Sequence, residues 1–161
     1  MQQLLLNLET VAVPTLDTFV PGQNTEVLYL LHQIAEGQSR DRFIYIWGDS
    51  AVGKTHLLKA MSQLCPAKFL TSLSPIEEFT YDPRKTLYLI DDCDKLSSEK
   101  QIAAFSLFNQ VRENRTACMI TAGSDSPLAL TLRDDLKSRL CWGLVYQIKG
   151  LTDEEKIAAL T

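Results

Sequence analysis

The sequence predicts an α/β fold in three layers, a five-stranded parallel sheet with helices on both faces. Three observations predict it. A short, continuously apolar run at 43–47 is followed by further apolar runs at 87–90, 117–120 and 144–148, with a short candidate strand at 68–71. Segments with apolar residues at helical spacing lie between them, and buried strands that alternate with helices read as a parallel sheet covered on both sides. A glycine-bearing turn, Gly48-Asp49-Ser50-Ala51-Val52-Gly53-Lys54-Thr55, joins the first run to the helix after it.

The elements follow in order. Residues 9–24 hold two prolines and one glycine with little periodicity and read as a linker. Asn24 is a suitable N-cap and Gly37 a suitable C′ residue for a helix that gathers Val27, Leu28, Leu31, Ile34 and Ala35 on one face. Phe43 to Trp47 is the first strand. Beyond the turn, Leu57, Ala60, Met61 and Leu64 keep helical spacing. Lys68 to Thr71 and Leu87 to Ile90 are the next strands, the latter ending in Asp91-Asp92. Ser98 with Gln101 reads as a capping box that opens a helix to about Asn114. Ala117 to Ile120 and Leu144 to Ile148 complete the sheet. Thr152 and Glu155 make another capping box, whose helix is cut off at Thr161, so the natural protein is expected to continue past this point.

At 161 residues the chain suffices for one domain with its own core. Its 45% hydrophobic and 22% charged residues are ordinary for a soluble globular protein. The net charge of −4 and pI of about 5.2 disfavour direct, sequence-specific DNA binding. Cys65, Cys93, Cys118 and Cys141 form no CxxC pair and share no metal-ligand spacing with His32 or His56, so buried, reduced thiols are expected. That fits a cytoplasmic protein. No signal peptide and no membrane-spanning stretch is found.

The turn matches G-x-x-x-x-G-K-[ST] in full, a match expected by chance on the order of once in a few hundred chains of this length. A strand before it and an amphipathic helix after it supply the context that the chemistry needs. Backbone N–H groups wrap a β-phosphate, Lys54 reaches the β- and γ-phosphates, and Thr55 offers its hydroxyl to Mg²⁺. The expected nucleotide-binding set is Gly48, Asp49, Ser50, Ala51, Val52, Gly53, Lys54, Thr55 and His56. Asp91 is placed to supply the second metal carboxylate. Asp92 follows where a residue that orients the attacking water belongs, and its short side chain predicts slow hydrolysis.

Gly-Lys-Thr-His-Leu-Leu at 53–58, Leu-Ile-Asp-Asp at 89–92, Leu-Lys-Ser-Arg-Leu-Cys-Trp-Gly-Leu at 136–144 and the linker Phe19 to Asn24 resemble the AAA+ module of the bacterial replication initiator DnaA. Within that superfamily the chain is most similar to the Hda-like, DnaA-homologous regulators that inactivate the initiator. Three features favour them. Gln3 to Leu8 resembles their peptide for the DNA polymerase sliding clamp (β subunit). The interval from Thr71 to Thr86 is too short for a pair of DNA-contacting helices. No initiator-type N-terminal domain precedes the module. The implied organisation is a clamp-binding peptide at 1–8, a linker at 9–24 and an AAA+ nucleotide-binding domain at 25–161 that lacks the helical lid and its second sensor.

In an extended peptide Leu4, Leu6 and Leu8 point to one side and fit an apolar cleft, with Gln3 as a polar anchor; alternatively these leucines begin a strand or cover the core. Asp135 lies four residues before Arg139, so a helical salt bridge is the plain reading of that arginine. The resemblance instead implies an arginine finger acting in trans on a neighbour's ATP. It also implies ADP or ATP as ligand, with the backbone near Phe19 and Val20 as the adenine wall, and Asp125 as γ-phosphate sensor. A serine where the family has arginine makes Thr121 a rival for that role. The implied partners are DnaA and the sliding clamp, with self-association left open, and the implied role is negative regulation of replication initiation. A self-sufficient loader or remodelling ATPase and a non-catalytic, nucleotide-dependent adaptor remain the alternatives.

Overall fold

A computed structural model describes residues 24–49 and 53–150. The peptide at 1–8, Phe19 and Val20, the loop residues Ser50, Ala51 and Val52, and the helix expected from Thr152 lie outside the described residues. The elements are α1 Thr25–Ala35, β1 Phe43–Trp47, α2 Lys54–Leu64, β2 Ala67–Leu70, β3 Leu87–Ile90, α3 Ser98–Glu113, β4 Cys118–Gly123, α4 Asp134–Leu140 and β5 Leu144–Gln147. Short 3₁₀ turns occupy Ile76–Glu78, Cys93–Lys95 and Pro127–Ala129. The five strands pair in parallel in the order β2-β3-β4-β1-β5.

Alternation along the strands divides the core between the two faces. Ile44, Ile46, Leu87, Leu89, Ile120 and Ala122 pack with α1 and α2. Tyr45, Tyr88, Ile90 and Met119 pack with α3 and α4. Every residue of β3 is buried, as a strand covered on both faces requires. At the sheet's edge β5 alternates instead, with Leu144 and Tyr146 half-buried and Val145 and Gln147 exposed. No helix among the described residues is long and apolar enough to cross a membrane.

Several local expectations shift. Asn24 does not cap α1 with its side chain. Its amide instead donates to the Lys149 carbonyl at 2.9 Å and accepts from the Lys149 N–H at 2.8 Å, pinning the chain beyond β5. The cap of α3 is Ser97, whose hydroxyl accepts from the Lys100 N–H. Gln101 donates to the Leu96 carbonyl at 3.0 Å, so the cap sits one residue earlier than expected and the Ser98–Gln101 capping box does not form, because Lys100 stands at its third position. Leu64 is 52% exposed at the end of α2. β4 runs on through Thr121, Ala122 and Gly123, residues small enough to continue a central strand. All four cysteines are free, but of the four only Cys93 is buried; Cys65 and Cys118 are half-buried, and Cys141 is exposed, because it follows the last turn of α4 where Leu140 already fills the core position.

Arg42, at the foot of β1, joins the sheet to the end of α3. Its Nε donates to Ala117 O at 2.8 Å, and its Nη2 donates to Asn114 O at 2.8 Å and to Val111 O. A cation there adds a second donor to the helix-end carbonyls of Val111 and Asn114, which also accept from the Asn114 and Ala117 N–H groups. Replacing Arg42 with alanine is expected to cost about 3 kcal/mol in urea unfolding, with Arg42→Lys recovering part of it.

Candidate functional site

The site assembles where β1, β3 and β4 end. Gly53 caps α2 in the left-handed region, with φ of 94°, and its carbonyl accepts the first helical bond from Leu57 at 3.0 Å. A side chain would strain that conformation, which accounts for glycine at this turn. Lys54 follows and is buried. Its ammonium donates to the carbonyls of Gly48 and Asp49, the latter at 2.9 Å, and so closes the base of the loop. Burial lowers its pKa, and the charges of Asp91, Asp94 and Asp49 oppose that shift. His56 is half-buried on the first turn of α2.

Thr55 donates its hydroxyl to Asp91 Oδ2 at 2.6 Å, and the other carboxylate oxygen accepts from the Asp92 N–H at 2.9 Å. The two residues expected to serve Mg²⁺ are therefore in direct contact. A hydroxyl and a carboxylate are hard oxygen donors, the chemistry magnesium takes when phosphates and water complete its octahedron. A cavity of about 240 Å³ opens above them, lined by Lys54, Thr55, Asp91, Asp92, Asp94, Lys95, Gly123 and Ser124. A larger cavity, about 650 Å³ and bordered by Arg42, Cys65, Thr86 and Cys118, lies at the opposite ends of the strands and shares none of these residues.

Asp92 turns partly away. Its backbone is left-handed, φ 41°, the only such non-glycine residue among those described. Its carboxylate accepts from the Ser72 N–H at 3.1 Å and from the Ser72 hydroxyl at 2.9 Å. Lys100 donates to the Ser72 carbonyl at 2.7 Å, which anchors this loop to α3.

Neither sensor candidate lines the cavity. Asp125 is exposed, and its carboxylate accepts from the next N–H, that of Ser126, at 2.8 Å. Its carbonyl accepts from the buried Tyr45 hydroxyl at 2.6 Å. Thr121 is buried within the sheet, where its hydroxyl has no hydrogen-bond partner among the described residues. The strand end that faces the cavity is Gly123-Ser124. A Cβ on Gly123 would stand 2.3 Å from the Tyr45 hydroxyl oxygen, so this glycine makes room for that tyrosine.

Arg139 is elsewhere, half-buried on α4. The salt bridge to Asp135 does not form, because Asp135 pairs with Arg133 at 3.2 Å. Arg139 Nε donates to Asn109 Oδ1 at 3.1 Å, and the guanidinium carbon stands 4.5 Å from the Phe105 ring centre and 4.2 Å from that of Trp142. Arg112 also lies over Trp142, at 5.0 Å. Sequence reasoning missed Phe105, Asn109 and Arg112, although their i, i+4, i+7 spacing marks one stripe of α3. It also missed Ser72, Asp94, Lys95 and Ser124; of these only Asp94, two residues beyond the paired aspartates, carried a visible chemical signal.

The segment between β2 and β3 holds one 3₁₀ turn, at Ile76–Glu78, and no α-helix. Lys68 stitches it down through the carbonyls of Glu78, at 3.0 Å, and Thr80, at 2.8 Å.

No protein-family model matches the chain. It is 33% identical to an uncharacterized protein of Haemophilus influenzae over 173 aligned positions, which cover 99% of this chain and 74% of that one. Among solved structures, domain III of the Thermotoga maritima replication initiation protein DnaA superposes with a TM-score of 0.75 at 22% identity, over 90% of this chain and 70% of that chain. AMPPCP-bound DnaA from Aquifex aeolicus superposes with a TM-score of 0.72 at 24% identity, over 84% and 50%. The Thermotoga maritima RuvB Holliday junction branch migration motor gives 0.67 at 16%, over 91% and 51%. The chain thus spans about half the length of the last two. The chain belongs to the family of the Haemophilus influenzae protein, and its fold is the DnaA-like, AAA+ type of P-loop NTPase.

Proposed function

We propose that this chain is a replication-related AAA+ regulator of the Hda-like kind, which holds ADP or ATP with Mg²⁺ and promotes hydrolysis of ATP bound to DnaA. On this reading residues 1–8 dock on the sliding clamp through Gln3, Leu4, Leu6 and Leu8, residues 9–24 are a linker, and residues 25–161 are the nucleotide-binding domain. Gly48 to His56 cradle the phosphates, with Thr55 and Asp91 serving the metal. Phe19 and Val20 flank the adenine.

The observation that carries the trans-acting role is the setting of Arg139. Two aromatic rings cover its guanidinium and Asn109 takes Nε, which leaves the terminal nitrogens without a hydrogen bond to any described residue. No carboxylate among the described residues lies within ion-pair reach of it. A cation held rigidly with its fork uncommitted suits a phosphate on another molecule. Asp92, the residue for orienting water in this chain's own site, is held by Ser72, which supports weak intrinsic hydrolysis. The acidic chain and the single turn between β2 and β3 support a protein partner in place of sequence-specific DNA contact.

The test measures hydrolysis of DnaA-bound ATP in the presence of DNA-loaded clamp. Arg139→Ala is expected to lower the stimulation by tenfold or more, an effect of about 1.4 kcal/mol or above, with nucleotide affinity unchanged. A variant with alanine at Gln3 and Leu4 should lose stimulation together with clamp pull-down. Full stimulation by Arg139→Ala sinks the finger assignment. Rapid hydrolysis by the isolated chain would favour the self-sufficient ATPase.

A further inference from the structure

The carboxylates around the cavity are unequally engaged. Asp91 accepts from Thr55 and from the Asp92 N–H, and Asp92 accepts twice from Ser72. Asp94 is different. It lies in the 3₁₀ turn Cys93–Lys95, half-buried, and lines the cavity next to Lys54 and Lys95, yet it accepts no hydrogen bond from any described residue. Burial lowers the pKa of the Lys54 ammonium, and the charge of Asp94, with those of Asp91 and Asp49, opposes that shift. Among the described residues, Asp94 is thus the lining carboxylate that accepts no hydrogen bond, and it shares the cavity with the phosphate-binding lysine.

The charges in the lining are Asp91, Asp92 and Asp94 against Lys54 and Lys95, already net negative before a ligand enters. A nucleotide's phosphate tail adds more negative charge to the same space. At such short range and reduced dielectric, one carboxylate opposes an incoming phosphate by about an order of magnitude in affinity or more. A divalent cation entering with the phosphates reverses the sign of that interaction. Among the described residues no three His, Cys, Asp or Glu groups converge to hold an ion by themselves. The contribution of Asp94 therefore runs through the field and through water on the metal, as suits magnesium, which keeps much of its hydration shell.

We propose that Asp94 sets the metal dependence of this site: it repels a bare phosphate tail and attracts the metal-complexed one, so that nucleotide enters as its magnesium complex. The inference rests on the nucleotide-binding reading above, and Asp94 acts in it as a positioning residue.

The test titrates the full chain with fluorescent ADP in magnesium and in EDTA, and compares the two affinities. Asp94→Asn is expected to reduce the magnesium-to-EDTA affinity ratio by about tenfold, chiefly by tightening binding in EDTA. Asp94→Glu should restore the ratio. Manganese binding to the ADP-loaded protein, followed by electron paramagnetic resonance, should weaken in Asp94→Asn in parallel. A ratio in Asp94→Asn equal to that of the unmodified chain overturns the proposal. Failure of the unmodified chain to bind ADP in either buffer overturns the nucleotide reading itself, a result distinct from the first.

Discussion

Replacing Gly143 with alanine is expected to prevent stable folding, at a cost of more than about 4 kcal/mol. A Cβ built at this position stands 1.9 Å from the Phe43 carbonyl oxygen and 2.8 Å from its carbon. Both atoms are backbone, so no flexible side chain can move aside. Phe43 is the first residue of β1 and pairs with Met119 of β4, while Ile44 pairs with Leu144 of β5. Separating Gly143 from Phe43 would therefore pull β5 off the strand that leads into Gly48. It would also disturb Trp142, which packs edge-on to Phe43 with ring centres 5.4 Å apart and stands beside Arg139. Thermal melting followed by circular dichroism checks the expectation; an unchanged midpoint would show that β5 can shift its register without cost.

Lys54→Ala is the second. Lys54 is the one basic side chain buried among the described residues, and it reaches two carbonyls of the loop that would enclose a β-phosphate. A buried ammonium that already donates to Gly48 and Asp49 can transfer its hydrogen bonds to an entering phosphate with little rearrangement. Loss of charge-assisted bonds of this kind costs about 1.5–3 kcal/mol each, so ADP affinity should fall on the order of a hundredfold. Stability should change little. Alanine removes two hydrogen bonds, but it also removes a charge whose burial opposes ionisation. Fluorescent-ADP titration together with urea unfolding separates the two effects. Retained affinity with normal stability would overturn the phosphate-site assignment.

The legible and illegible parts of this protein differ in the range of the contacts that make them. Phe43 to Trp47 reads as a strand because five large apolar residues stand together before Gly48, and the structure has β1 at those residues. Thr55 and Asp91 were nameable because each sits at the end of an element, where a parallel sheet gathers its loops. Ser97 against Ser98 is a one-residue ambiguity that local pattern cannot resolve, since both serines precede a plausible helix. Asn24 reads as a cap because capping is a favoured local use of asparagine before a helix. Its actual partner, Lys149, is 125 positions away.

The candidate site divides along the same line. A glycine-rich turn between a strand and a helix, followed downstream by an apolar run ending in aspartate, suffices for the layered architecture and for the phosphate loop. Those features depend on residue type and spacing within a few turns of chain. Which carboxylate stays open to Lys54, and which nitrogens of Arg139 stay uncommitted, depend on Ser72 meeting Asp92 across 20 positions and Asn109 meeting Arg139 across 30. Strand order 2-3-4-1-5 brings those pairs together. A hydrogen bond succeeds or fails over a few tenths of an ångström, and only the packed sheet, with helices against both faces, sets positions that finely.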